Sequence, residues 1–244
     1  MTIKDTTINK MKIEIWSDIA CPFCYIGKHK LDKALTNFAN SNQIEIVWKN
    51  YQLDLNLKTD TTKSIYQSLA ESKGITLSYA KQMTAGVLEM GHANAIAFNF
   101  DKTIPANTLR AHQFLHFAAH YGKQSEAKEM LFEAYFINGL NVDDIETFSL
   151  IATLLNLDTS KLKDDLLNQT YLKEVQDDIE KARKMNISGV PYFVFDRKFA
   201  ISGAQDDSVF VNTLQKAFDE WHLLNPLKDI EISKGNVCTI NECK

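Results

Sequence analysis

Two β-rich segments lie at opposite ends of this chain, and the long stretch between them carries helical patterns only. Near the start, residues 12–16 and 44–48 are β-rich and flank a helical pattern. Two strands joined by one helix predict a βαβ unit with a right-handed crossover. Residues 192–195 and 199–201 predict a β-hairpin, and an amphipathic helix follows over 206–223. The predicted order is therefore βαβ, a helical block, then ββα.

The helical block runs from residue 61 to 186, and no segment within it predicts a strand. Glycines, one proline and polar pairs divide it into separate helices. The predicted helices cover residues 61–73, 77–98, 106–121, 124–138, 143–155 and 160–185. A chain of 244 residues with 45% hydrophobic composition can bury one large core or two smaller ones. We therefore expect either one domain with a large insertion or two domains.

Charge and hydropathy argue against two classes of partner. The net charge is −4, from 27 basic and 31 acidic residues, and no basic stripe appears locally. We therefore expect no nucleic acid partner. No apolar run approaches the roughly 20 residues that a membrane span requires. Residues 1–10 are polar and lack the apolar region of a secretory signal. We expect a cytoplasmic protein without a membrane partner.

Four cysteines form two close pairs, Cys21 with Cys24 and Cys238 with Cys243. A disulfide across so small a ring stabilises a fold by only about 2 kcal/mol, against about 4.7 kcal/mol for a loop of 100 residues. A cytoplasmic chain would also not normally keep structural disulfides. The spacing therefore favours disulfide exchange or metal binding over a structural crosslink.

The sequence Cys21-Pro22-Phe23-Cys24 lies where the first strand gives way to a helix. Pro22 suits the first helical position, and Cys21 then sits at the positive end of the helix dipole. Backbone N–H groups there favour a thiolate, so we expect Cys21 to attack disulfides. Cys24 returns one turn later and should be the more buried, resolving cysteine. Phe23 adds no positive charge, so the pKa of Cys21 should lie well above the ~3.5 of the strongest oxidant of this type.

Two further features fit an exchange site. Pro191 opens a strand directly after Ser-Gly-Val and is a candidate for a cis peptide bond. The backbone of Val190 would then be free to pair with an extended substrate segment. Asp18 precedes Cys21 by three residues. It is either a buried carboxylate that relays a proton for Cys24 or a loop residue that binds nearby backbone N–H groups.

Metal binding is the main alternative for these residues. The two cysteine pairs together could supply four thiolates to zinc. His112, His116 and His120 share one helical face and have a spacing that could also bind a metal. Because Pro22 and the helix after it favour an activated thiol over a zinc turn, we predict no metal.

These motifs resemble the DsbA-like branch of the thioredoxin superfamily. The resemblance lies in Cys21-Pro22-Phe23-Cys24 after a first strand, the long helical stretch, and the run Gly189-Val190-Pro191-Tyr192-Phe193-Val194-Phe195. Within this branch, residues 16–27 and 201–205, together with Asn107-Thr108 and Ala111-His112, are similar to FrnE-type oxidoreductases. The resemblance implies an α/β protein with a thioredoxin fold and a large all-helical domain inserted between its βαβ and ββα halves. The corresponding limits are 11–58 and 187–224 for the thioredoxin-like domain, 59–186 for the insertion and 225–244 for a C-terminal tail.

The resemblance also implies a function, namely thiol–disulfide oxidoreductase or isomerase activity on protein disulfides. No cofactor is expected beyond the redox-active disulfide, and glutathione is a possible co-substrate. Pro191 would act with the two cysteines, and substrate contacts are expected from Val190, Phe23, Pro22 and His112. Some members carry a second C-terminal pair like Cys238 and Cys243, which would exchange electrons with the first pair.

Two other functions stay open. Hydroxychromene-carboxylate isomerases and kappa-type transferases share this layout and depend on glutathione, but they generally carry serine at the position of Cys21 and lack the second cysteine. Both cysteines are present here, which favours the dithiol function. The third possibility is a zinc-stabilised binding or holdase module.

Overall fold

A computed structural model describes residues 9–225 and shows strands at both ends of a largely helical chain. The predicted order of elements is present. The elements are β1 (Met11–Ser17), α1 (Pro22–Thr36), β2 (Ile44–Asn50), α2 (Ile65–Lys73), α3 (Leu77–Ala93), α4 (Leu109–Ala119), α5 (Gln124–Phe136), α6 (Ile145–Leu154), α7 (Thr159–Leu167), α8 (Leu172–Lys184), β3 (Tyr192–Phe195), β4 (Phe199–Ser202) and α9 (Asp207–Leu224).

The four strands form one mixed sheet in the order β2-β1-β3-β4. β1 pairs with β2 in parallel, from Met11 opposite Ile44 onward. β3 runs antiparallel to β1 and places Phe193 opposite Ile15, and β4 completes the hairpin. Helices α2 to α8 all lie between β2 and β3 in the chain. The fold is therefore the expected thioredoxin fold with a helical insertion.

The predicted helix over 160–185 is wrong, because the chain forms two helices there. Asp158 caps α7 through hydrogen bonds from the backbone N–H groups of Ser160 and Lys161. The helix ends before Gln169, which has a positive φ of 52°. A non-glycine residue in this conformation gives no composition signal, so the break is invisible in the sequence. The helix predicted to start at residue 61 begins instead after Ser64, whose capping box with Gln67 defines its first turn.

Helix α1 contributes to two hydrophobic cores. Its first turn, including Cys24 and Tyr25, packs in the core of the helical insertion. Its later residues Leu31 and Ala34 pack in the core beneath the sheet, together with Phe193. The start of α1 is therefore positioned by the insertion, and the rest of the helix by the sheet.

Helix α5 is the part of the insertion that holds the start of α1. The rings of Tyr25 and Phe132 stack with centroids 4.8 Å apart and planes 15° apart. The Tyr25 hydroxyl donates a hydrogen bond of 2.7 Å to Glu129 Oε1. Lys28 Nζ lies 2.5 Å from Glu129 Oε2 and 2.7 Å from Asp32 Oδ2. These contacts fix α5 against the helix that carries both cysteines.

No helix between residues 9 and 225 is long and apolar enough to cross a membrane. The domain limits at residues 58/59 and 186/187 stay predictions.

The close approach of α1 to β3 depends on Gly27. A Cβ added there would lie 3.0 Å from Phe193 Cζ and 3.1 Å from Pro191 Cγ. Phe193 is fully buried and packs edge-on against Phe210 at 5.0 Å, so it has no room to retreat. Overpacking costs about 1–3 kcal/mol, and alanine favours a helix by only about 1 kcal/mol. We expect Gly27→Ala to lower the free energy of unfolding by about 1 kcal/mol in urea titrations.

Gly86 in α3 provides the matched control, because an added Cβ there meets nothing within 4 Å. Gly86→Ala should raise the free energy of unfolding by about 0.5–1 kcal/mol. An equal gain in the free energy of unfolding of Gly27→Ala would show that α1 does not depend on its close contact with Phe193 and Pro191.

Candidate active site

The two cysteines lie at the start of α1, as predicted. Cys21 is the residue before the helix, with φ of −101° and ψ of 109°, and Pro22 occupies the first turn. Both cysteines are free thiols. Both are buried, with 3% of Cys21 and 1% of Cys24 exposed. Cys24 therefore lies behind Cys21, inside the first turn.

The loop before β3 reaches Cys21 from the far end of the chain. The Val190–Pro191 peptide bond is cis, as predicted. The Cys21 thiol donates toward the carbonyl oxygen of Val190, with 3.6 Å between Sγ and O. The carbonyl of Pro191 accepts a hydrogen bond of 2.8 Å from the N–H of Gly203, which holds the loop against the end of β4.

A groove of about 310 Å³ opens beside this contact. Phe23, Val190 and Pro191 line it, as do Met90 of α3 and Lys30 of α1. Phe23 is 40% exposed and presents an apolar surface at the mouth. Pro22, also predicted to bind substrate, is half-buried and is not part of the lining. The groove offers an extended segment both apolar contacts and the backbone of Val190.

His112 does not occupy the place predicted for it. Its side chain is fully buried, so it has no surface with which to contact a substrate. Its Nε2 lies 3.2 Å from Asp18 Oδ1, and its Nδ1 lies 2.8 Å from Asn50 Oδ1. Burial lowers the pKa of His112, and the contact with Asp18 only partly opposes this effect. His112 is thus a partner of Asp18 beneath the cysteines.

Asp18 is buried, and both of its carboxylate oxygens have a hydrogen-bond partner. Its Oδ2 accepts a hydrogen bond of 2.8 Å from the N–H of Leu53, and its Oδ1 faces His112. Burial favours the neutral acid, but the hydrogen bonds from His112 and Leu53 hold the pKa of Asp18 below its ordinary value. Both alternatives of the sequence therefore stay compatible with its position: it binds backbone, and it is a buried carboxylate close to the thiols.

The polar network continues away from the cysteines through Asn50. The Asn50 side-chain amide donates to Asp178 Oδ2 at 3.1 Å and contacts His116 Nε2. Asp178 also pairs with Lys49 at 2.9 Å. No sequence pattern marks Asn50 or Asp178, because the contacts join β2 to a helix 128 residues later.

The three histidines predicted on one helical face point to different partners. His112 faces Asp18, His116 faces Asn50 and Asp178, and the ring of His120 lies 5.3 Å from that of Tyr171. Across residues 9–225, no group of three or more histidine, cysteine or acidic side chains could hold a metal ion. The histidine spacing therefore reflects packing in this part of the chain.

The helix start does not act alone on the Cys21 thiol, because burial and neighbouring groups also change its pKa. The neighbouring Cys24 thiol and burial raise the pKa of Cys21, and the carboxylate of Asp18 raises it further. Burial opposes ionisation of Cys24 too. The neighbouring Cys21 thiol, the Ser17 hydroxyl and the charge of Lys128 nevertheless lower the pKa of Cys24. The Ser17 hydroxyl has no other partner in the described part of the chain, so it is available to this sulfur.

Cys21 contacts Val190, which lines the groove, whereas Ser17 and Lys128 act on Cys24. Sequence reasoning missed Lys128, because a lysine in a helix is normally expected at the surface. The second predicted redox pair, Cys238 and Cys243, lies outside the described residues.

Comparisons with known proteins agree with this fold. The uncharacterized protein YwbO of Bacillus subtilis is 26% identical over 200 residues, which cover 81% of this chain and 92% of YwbO. The crystal structure of a probable DsbA oxidoreductase from Streptomyces coelicolor superposes with a TM-score of 0.79 at 26% identity. That match covers 96% of this chain and 98% of the other.

A 2-hydroxychromene-2-carboxylate isomerase shares the fold at 15% identity, with a TM-score of 0.61 over 88% of this chain and 98% of its own. The family model for the DSBA-like thioredoxin domain matches residues 12–215, from the first strand into the last helix. This match includes both cysteines, the helical insertion and the cis-proline loop. The chain therefore belongs to the DSBA-like thioredoxin domain family.

Proposed function

We propose that this chain is a thiol–disulfide oxidoreductase or isomerase whose redox centre is the pair Cys21 and Cys24. The observation that carries the proposal is the contact of the Cys21 thiol with the Val190 carbonyl at the edge of an open groove. A second thiol lies directly behind, one helical turn on. The redox centre needs no bound cofactor, because the disulfide accepts two electrons and the dithiol returns them.

In the oxidising direction, a substrate thiolate attacks Cys21 Sγ. The Cys21–Cys24 bond breaks, Cys24 leaves as a thiolate, and a mixed disulfide joins the substrate to Cys21. A second substrate thiolate then attacks the substrate sulfur of this mixed disulfide, and Cys21 is released. The substrate gains a disulfide, and the two electrons stay on the protein as a dithiol. The reverse sequence reduces a substrate disulfide, with Cys24 resolving the mixed disulfide.

The groove supports an extended polypeptide as the substrate. Pairing of its backbone with Val190, in the loop before β3, would bring a substrate sulfur toward Cys21. Phe23 and Met90 offer apolar contacts that do not select one sequence. Glutathione is small enough to serve as the second thiol substrate. FrnE-type identity, a cytoplasmic location and exchange with Cys238 and Cys243 stay predictions of the sequence.

The alternative is a glutathione-dependent isomerase or transferase. The likeness to the hydroxychromene-carboxylate isomerase concerns the fold alone at 15% identity. Such chemistry needs one glutathione-binding position and no resolving thiol. The placement of Cys24, within reach of Cys21 and surrounded by groups that stabilise its thiolate, favours the dithiol function. An activity that survives the loss of Cys24 would favour the alternative.

Single cysteine variants test whether Cys21 attacks the substrate and Cys24 resolves the mixed disulfide. Cys21→Ser should reduce dithiol-dependent turnover of a model disulfide protein to background, because no sulfur remains at the groove. Cys24→Ser should also stop turnover but should accumulate a mixed disulfide on Cys21, detected by mass spectrometry. The double variant Cys238→Ser/Cys243→Ser measures what the tail contributes. Full activity in Cys21→Ser would contradict the proposal.

Asp18→Asn tests the role of the buried carboxylate. Removal of its charge should lower the pKa of Cys21 and speed alkylation of Cys21 at pH 7, because a larger fraction of the thiol is then ionised. If Asp18 also relays the proton of Cys24, resolution of a mixed disulfide should slow in the same variant. Site-resolved mass spectrometry follows both rates.

Asp54→Asn is the control, because it makes the same charge change on an exposed residue of the neighbouring loop. Equal alkylation rates in Asp18→Asn, Asp54→Asn and the unmodified protein would show that the Asp18 charge does not act on Cys21.

A further inference from the structure

Helix α3 carries an exposed apolar stripe that ends in the groove lined by Val190. The stripe consists of Tyr79, Met83 and Met90, whose side chains are 40–52% exposed. Their spacings of four and seven residues place them on one face of the helix. Gly86, which falls between them on this face, is exposed and adds no side chain. Large apolar side chains in such a row mark a binding surface more often than singly scattered ones do.

The stripe is separate from the faces with which α3 packs. Each of its three residues precedes a buried residue by one position, and these buried residues are Ala80, Thr84 and Gly91. One position is about 100° around a helix, so the stripe lies beside the buried face. Lys81 lies on the other flank, where its Nζ is 5.5 Å from the centroid of the Tyr66 ring of α2. Packing therefore leaves an uncharged face of α3 open to solvent.

The stripe is continuous with the groove. Met90, its last residue, lines the groove, as do Phe23 and Val190. From Met90 the stripe leads away from the groove toward the start of α3, over a distance of about 16 Å along the helix axis. An extended polypeptide that leaves the groove in this direction passes over Met83 and then Tyr79. About five residues of such a segment cover the whole stripe.

We propose that this stripe binds the substrate beyond the groove, and that the substrate is an unfolded polypeptide with apolar residues near its reactive cysteine. The proposal rests on the proposed function and names its substrate class. Methionine suits such a surface, because its flexible and polarizable side chain adapts to different apolar partners. The stripe would therefore add affinity for apolar segments without selecting one sequence.

The burial of Cys21 favours an unfolded substrate over a folded one. A sulfur reaches Cys21 only on a segment that is narrow enough to enter beside Val190. A folded protein keeps most of its large apolar side chains buried, so its surface has few of them to offer to α3. Glutathione is narrow enough, but this charged tripeptide has no apolar side chain with which to contact Met83 or Tyr79. The stripe therefore distinguishes an unfolded protein from glutathione at the same redox centre.

The double variant Tyr79→Gln/Met83→Gln tests the stripe while the groove stays intact. Neither residue belongs to the groove lining, and glutamine is a good helix former. The loss of two half-exposed apolar contacts should lower kcat/KM for oxidation of a reduced, unfolded model protein about tenfold, mainly through a higher KM. The kcat/KM for glutathione should stay unchanged, because both cysteines and the groove are as before.

Leu150→Gln/Leu154→Gln is the matched control. These two leucines of α6 are 51% and 61% exposed and also lie four residues apart on one helix of the insertion. Within residues 9–225, none of the residues that line the groove belongs to α6. The control should therefore leave kcat/KM unchanged with the unfolded protein and with glutathione.

Binding can also be measured without any redox step. The probe is a fluorescein-labelled, cysteine-free peptide of about ten residues with leucine at alternate positions, long enough to span the stripe and the groove. Its fluorescence anisotropy reports the Kd for the full chain. This Kd should rise about tenfold in Tyr79→Gln/Met83→Gln and stay unchanged in the α6 control. A peptide with serine in place of each leucine should bind the unmodified protein more weakly.

The outcomes separate the two proposals. An unchanged kcat/KM for the unfolded protein in Tyr79→Gln/Met83→Gln, or an equal loss with glutathione, would overturn the role of the stripe and leave the redox function intact. Loss of a dimer in this variant, seen by sedimentation while peptide binding persists, would also overturn it, because the stripe would then join two copies of this chain. Absence of exchange with both substrates in the unmodified protein would overturn the redox function and the claim about its substrate with it.

Discussion

The burial of helix α1 in two cores is the constraint on which the site depends. Its first turn packs with Phe132 in the helical insertion, and its later residues pack with Phe193 under the sheet. Close-packed cores permit little adjustment, so neither side can shift without loss of contacts. The two cysteines lie in the core of the insertion. The insertion therefore does more than cover the site, since α5 places charged side chains behind the thiols.

In this arrangement, Cys21 contacts the loop beside the groove, whereas Cys24 is the thiol whose pKa is lowered. Cys21 contacts Val190, which lines the groove. The groups that stabilise a negative charge, the Ser17 hydroxyl and Lys128, act on Cys24. A disulfide with an accessible sulfur on one side and a stable leaving thiolate on the other is suited to attack from the groove. The same arrangement makes Cys21 a weaker nucleophile in the reduced protein, because its own pKa is raised.

Local patterns predicted much of the fold and the position of the reactive pair. The strands, the helix start at Pro22 and the cis bond before Pro191 all follow from residue types that act on their own backbone. The break at Gln169 did not follow, because a non-glycine residue there adopts a positive φ without a composition signal. The influence of Lys128 on Cys24 did not follow either, because the helix-dipole argument considers one helix and Lys128 belongs to another element.

The most direct test of this account is an NMR titration of the reduced protein with ¹³C-labelled cysteine Cβ carbons, assigned through single cysteine variants. The account predicts that the Cβ signal of Cys24 shifts first as the pH rises and that Cys21 ionises only at higher pH, because the charge on Cys24 and burial oppose it. Ionisation of Cys21 before Cys24 would contradict the claim that Cys24 has the lower pKa of the two thiols.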